Sequence, residues 1–156
     1  MGGSGGTGGT TCEQLDFGQN DTEDTAFELQ PITDCDDEGG TLEGTLAPGD
    51  VDWFTFITQD KTLCSVNPSV DVTSAENVHL CIYFECEGGS GADVACPAGS
   101  DADTSGEGRP GCCSSSSPIE PDLNCKGTLN DAARVWIEVT WPGNSNCKDY
   151  AIAYHY

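Results

Sequence analysis

Two carboxylates, Asp50 and Asp52, open the stretch PGDVDWFTF at 48–56. Side chains alternate along an extended chain, so these two lie on one side of it. Carboxylates so placed are hard oxygen ligands suited to calcium, and a cation between them would turn repulsion into a clamp. The competing reading gives each acid a local task, Asp50 closing the PGD turn and Asp52 accepting backbone hydrogen bonds. A second candidate is DADTSGEG at 101–108, where Asp101, Asp103 and Ser105 before Gly106 have the spacing of the first half of an EF-hand loop. Cys112 stands at the twelfth position, where that loop needs a glutamate, and a solvated acidic loop is the alternative. DCDDEGG at 34–40 has similar spacing and is weaker.

The chain of 156 residues carries 27 acidic against 5 basic residues, a net charge of −22. Such a balance repels nucleic acid and anionic membranes and favours cations as partners. It also suits a soluble acidic surface with no partner at all. Ten cysteines in so short a chain read as a disulfide framework made in an oxidising compartment. Cys12, Cys35, Cys64, Cys81, Cys86, Cys96, Cys112, Cys113, Cys125 and Cys147 are expected to be fully paired. The neighbours Cys112 and Cys113 should reach different partners. Short local loops favour Cys12 with Cys35 and Cys86 with Cys96. Zinc is the rival use, but C-x-x-C is absent and His79 and His155 are far apart in sequence. Neither histidine sits in a catalytic motif, so an enzyme is not expected.

The elements that must position these residues are strands. Alternation marks 41–46, 51–58, 61–66, 77–86, 133–141 and 149–156, with turn residues between them. Phe54 and Phe56 share one face with Val78, Leu80, Ile82, Phe84, Val135, Ile137 and Val139 on their own strands, and the last strand adds Tyr150, Ile152 and Tyr156. Trp53, Tyr83 and Trp136 fall on the opposite faces. Exposed together, they would form an aromatic platform for sugar rings or a protein chain, and a covering loop is the alternative. TEDTAFEL at 22–29 supports one short turn of helix. These patterns predict an all-β, antiparallel, jelly-roll-like sandwich. Between 87 and 130 apolar residues thin out, which predicts a long loop stapled by cysteines. Residues 1–11 form a Gly/Ser/Thr linker and 12–156 a single domain. GGSGG there matches a nucleophile-elbow pattern without the strand and helix an elbow needs. Met1 is followed by no apolar leader, so it is read as a start placed ahead of a mature chain. No stretch is long and apolar enough for a transmembrane helix.

NDTEDTAFEL (20–29), GTLEGTLAPGDVDWFTF (40–56), VHLCIYFEC (78–86) and ARVWIEVTWPGNSNCKDYAIAYHY (133–156) resemble, in order and spacing, the bacterial pre-peptidase C-terminal domain. The cysteines and the long 87–130 segment depart from that family. The resemblance implies a non-catalytic, secreted or surface β-sandwich, and in some members a calcium site. Carried over residue by residue, it points to Asp16, Asn20 and Asp21 together with Asp50 and Asp52. The implied function is an extracellular or cell-surface module for adhesion or assembly, rigidified by calcium, that meets a protein or polysaccharide surface. The alternatives are a self-assembling surface subunit using its N-terminal tail, or a binding module appended to a secreted enzyme.

Overall fold

The computed structural model describes residues 12, 17, 19–33, 39–61, 64, 67–73, 78–89, 91–116, 118–127, 131–143 and 146–156. Twelve strands are found among them: β1 (Phe27–Glu28), β2 (Ile32–Thr33), β3 (Gly39–Leu46), β4 (Val51–Gln59), β5 (Ser69–Val72), β6 (His79–Cys86), β7 (Ala92–Ala95), β8 (Asp101–Thr104), β9 (Pro110–Ser114), β10 (Asp122–Cys125), β11 (Ala133–Thr140) and β12 (Lys148–His155). The helical content of the described residues is two 3-10 turns, Glu23–Thr25 and Glu87–Gly89. This is the disulfide-rich, all-β sandwich that the alternation predicts.

The large sheet runs β1-β4-β11-β6-β9-β8, with β2 also on β4. Its long strands are antiparallel, while β1 and β2 join β4 in parallel. The second layer holds the three-stranded sheet β3-β12-β5, and β10 and β7 form a separate antiparallel pair. Between the layers lies one apolar core, with Phe54, Phe56, Leu80, Ile82, Phe84, Val135, Ile137 and Val139 from the large sheet. Leu42, Leu46, Val70, Tyr150, Ile152 and Tyr156 come from the layer opposite. Period-two alternation puts these side chains on one face, and removing them from water is the main force holding the layers together.

The turn before β4 explains the PGD sequence. The Asp50 amide donates to the Ala47 carbonyl at 3.0 Å, and Gly49 adopts φ 82°. Proline followed by a residue at positive φ is the Pro-Gly turn combination, and glycine takes that φ without steric cost.

The 87–130 segment departs from the expectation of a loop. It folds into β7, β8, β9 and β10. Their residues are small or acidic, so hydropathy does not mark them; pairing and cross-links hold them instead. Cys96 bonds Cys112, Cys86 bonds Cys125, and Cys81 bonds Cys113. Cys112 and Cys113 do reach different partners, because neighbours on a strand face opposite ways. Cys112 enters the main core and Cys113 the outer face.

The pairing of Cys86 with Cys96 is thereby corrected, since sheet position and not loop length selects the partner. Cys12 bonds Cys147, not Cys35, closing a sequence separation of 135 residues. Cys64 is also disulfide-bonded. Cys35, most of the strand expected at 61–66, the 1–11 linker and most of DCDDEGG lie outside the described residues.

Candidate functional site

The sequence candidates divide between two places. At the start of β4, the Trp53 amide donates to the Asn20 carbonyl at 2.8 Å, and the Asn20 side-chain amide donates to the Trp53 carbonyl at 3.3 Å. This pairing carries Asn20 and Asp21 to the edge where Asp50 and Asp52 stand. Asn20 and Asp52 are buried, whereas Asp21 is exposed. Asp52 accepts a 2.6 Å hydrogen bond from the Tyr150 hydroxyl. Tyr150 reaches it because its ring lies over Gly44, where a side-chain Cβ would sit 2.3 Å from ring atoms.

Burial pushes the Asp52 carboxyl above its ordinary range, partly offset by the hydrogen bonds from Tyr150 and Asn20; Asp50 and Asp21 push it further up. Burial, with Asp52 beside it, also raises Tyr150 strongly. Asp50 has the local task foreseen for it, accepting from the Ala47 and Val51 amides at 3.3 and 3.1 Å.

Asp21, Asp50 and Asp52 thus share a neighbourhood, but among the described residues their carboxylate oxygens do not meet as a group of three. Among the described residues, the ligand atoms of a single group of three His, Cys, Asp or Glu residues fall within 4.8 Å of one another. They belong to His79, Cys81 and Cys113, and both sulfurs of that group are joined in the Cys81–Cys113 bridge. Asp16 lies outside the described residues.

The second place is the outer face of the large sheet. Trp53, Tyr83 and Trp136 do come together, with Trp53 and Tyr83 stacked at 5.8 Å. They are 7, 2 and 6% exposed, so the expected aromatic platform is corrected to a buried second core. What covers it is polar. The Arg109 guanidinium lies 3.8 Å over the Trp136 ring. It bonds Glu23 Oε1 at 2.6 Å and Glu85 Oε2 at 2.9 Å. Buried Glu23 also accepts from the Ser105 hydroxyl at 2.7 Å and the Glu107 amide at 3.1 Å. The 3-10 turn of Glu23 and the β8–β9 hairpin turn thus meet through one carboxylate.

That hairpin is what DADTSGEG forms, in place of an ion-wrapping loop. Asp101 and Asp103 stand on β8, and Ser105 begins a turn closed by the Gly108 amide on the Ser105 carbonyl. Asp103 Oδ2 receives the Tyr83 hydroxyl at 3.0 Å, and Glu138 Oε2 lies 3.1 Å from the same hydroxyl. The Tyr83 ring crosses Gly111, whose missing Cβ would meet ring and backbone atoms at 2.5 and 2.1 Å. Burial raises Glu138, against the hydrogen bond from Tyr83 and the charge of His79; Asp103 and Glu23 push it further up. Burial and the two carboxylates raise Tyr83 as well. One hydroxyl has one proton to donate, so both contacts are hydrogen bonds when Glu138 itself carries a proton.

Beside this face an open recess of about 450 Å³ is lined by Ile57, Glu85, Glu87, Arg109, Arg134 and Trp136, with the Gly88–Gly89 turn at its rim. Sequence reasoning passed over Glu23, Arg109, Glu138 and Tyr150. Two signals were available: a single glutamate inside the apolar run ARVWIEVT, and an arginine among only 5 basic residues.

No family model matches this chain, and no curated protein is significantly similar to it.

Proposed function

We propose that the protein is a non-catalytic extracellular or cell-surface module for adhesion or assembly. One observation carries this reading. The charged and titratable groups that the fold gathers (Glu23 with Arg109, Tyr83 with Asp103 and Glu138, Tyr150 with Asp52) bond one another within a cross-linked sandwich. Groups so engaged brace a rigid body, whereas catalysis needs side chains aimed at a substrate. The four described bridges agree with folding in an oxidising compartment. No helix among the described residues is long and apolar enough to cross a membrane. The resemblance to the pre-peptidase C-terminal domain points the same way.

Calcium belongs to this reading through the crowding of Asp21, Asp50 and Asp52, since a dication relieves like-charge repulsion. Asn20 and Asp16 complete the ligand set that the resemblance implies. Binding to the folded form alone raises the melting temperature by mass action, with about 2.7 kcal/mol at a hundredfold excess over Kd. Melting in calcium against chelator, at matched ionic strength, is expected to show a shift that Asp50→Asn/Asp52→Asn abolishes. An equal shift in parent and variant moves calcium elsewhere.

For the module itself, sedimentation equilibrium of the full chain and of a chain lacking residues 1–11 separates two partners. A monomer in both that is retained on a protein- or polysaccharide-coated surface supports adhesion. Oligomers that vanish with the tail support the self-assembling subunit. Turnover of an ester, peptide or glycoside that one substitution abolishes would overturn the proposal.

A further inference from the structure

The Cys12–Cys147 bridge joins two points 135 residues apart in sequence, with Cα atoms 5.6 Å apart. Cys147 immediately precedes β12, Lys148–His155, which ends one residue before Tyr156. Tension entering through the segment before Cys12 and leaving at Tyr156 therefore has a short covalent route. It passes from Cys12 through the two sulfurs to Cys147 and then along β12. Residues 13–146 form a closed ring attached to that route at one point, and a ring so attached carries no tension.

We propose that this bridge is a mechanical bypass that confines load to β12 and shields the rest of the module. It adds a physical property to the adhesion or assembly reading, and it stands on the position of the bridge alone.

β12 is built for the load. It is the central strand of its sheet, paired with β3 over eight residues, from Lys148 with Leu46 to His155 with Gly39. Its second edge pairs with β5 from Ile152 to His155. These hydrogen bonds hold β12 extended, so tension along it finds little slack to draw out. Side chains add anchors that point out of the sheet. Tyr150, Ile152 and Tyr156 are buried in the main core. Tyr150 donates to Asp52 at 2.6 Å, and Tyr156 donates to the Asp131 carbonyl at 2.9 Å. Beyond the bridge, only residues 148–156 lie in the path; fully extended they span about 30 Å, most of which a paired strand already spans.

Single-molecule force spectroscopy on the full chain tests this, with handles at the two chain ends and every cysteine oxidised. The expected record has no single release longer than about 30 Å. Cys12→Ser/Cys147→Ser is expected to release several times that length. A second attachment needs no cysteine change. One handle moves to the exposed position 48 of the turn before β4, through a bio-orthogonal side chain, and the other stays at residue 156. That path must cross the body of the module before it reaches β12, and it is expected to give releases several-fold longer than end-to-end pulling. A long release from the oxidised chain pulled by its ends overturns the proposal. So does the same short release from both attachments, which would assign the resistance to something other than the bridge. Neither result bears on whether the module adheres, since surface retention is measured without load.

Discussion

The large sheet is buried on both faces, by different means. Inside, Phe54, Phe56, Ile82 and Ile137 pack against apolar side chains of the opposite layer, and contact needs no particular direction. Outside, Trp53, Tyr83 and Trp136 are buried with the Cys81–Cys113 bridge under polar groups. Each of those groups needs its own partner, because an unpaired buried donor or acceptor costs about 1–3 kcal/mol. The partners are present: no buried side-chain nitrogen or oxygen among the described residues lacks one. The inner face thus tolerates substitution by size and the outer face by geometry. A burial pattern alone does not separate the two.

Three substitutions sharpen or break this contrast. The largest effect is expected inside. Phe54→Ala empties a fully buried position that Phe17 also contacts edge-on at 5.2 Å, and should cost about 3–5 kcal/mol in denaturant unfolding. A loss below 1 kcal/mol would mean the layers are not closely packed there.

Tyr83→Phe keeps the outer ring and deletes its hydroxyl. It should cost about 1–3 kcal/mol, since partly buried Glu138 and exposed Asp103 lose the hydroxyl that links them. Unchanged stability would make the outer network decorative and the two faces alike.

Glu138→Gln is expected to be the mildest, within about 1 kcal/mol at neutral pH, because the amide NH2 can donate to the Tyr83 oxygen as a protonated carboxyl does. Its value lies in pH. Glu138 binds its proton more tightly folded than unfolded. Protonation therefore stabilises fully below the ordinary glutamate range, and that contribution is lost as pH rises through the raised folded value. Glutamine does not titrate, so the variant should gain on the parent as pH rises across that window. Urea melts of both proteins across the acid range check it. Parallel pH profiles would show that Glu138 does not hold its proton.

The strands with strong alternation were legible because period-two patterning is local: β3, β4, β6, β11 and β12 stand within a residue or two of where hydropathy places them. β7 to β10 were not, because Ala92–Ala95, DADT and PGCCS carry almost no apolar alternation. At the candidate site, the local roles of Asp50 and its turn were readable from PGD, and the outward side of Trp53, Tyr83 and Trp136 from alternation. Their burial was not, since it depends on Glu23 and Arg109, 86 residues apart, meeting over the sheet.

Composition and periodicity by themselves determined an acidic, cysteine-paired, all-β chain, and they placed Cys112 and Cys113 with separate partners. Both follow from properties carried by each residue and its immediate neighbours: charge, side-chain direction and the reach of a disulfide. Tertiary structure decided which sulfurs meet, which tryptophans are covered and what Asp52 binds. Those outcomes depend on sheet order and register, where Cys81 lies opposite Cys113 and Tyr150 opposite Gly44. Register is set by the summed packing of whole strands, and no local stretch of sequence contains that sum.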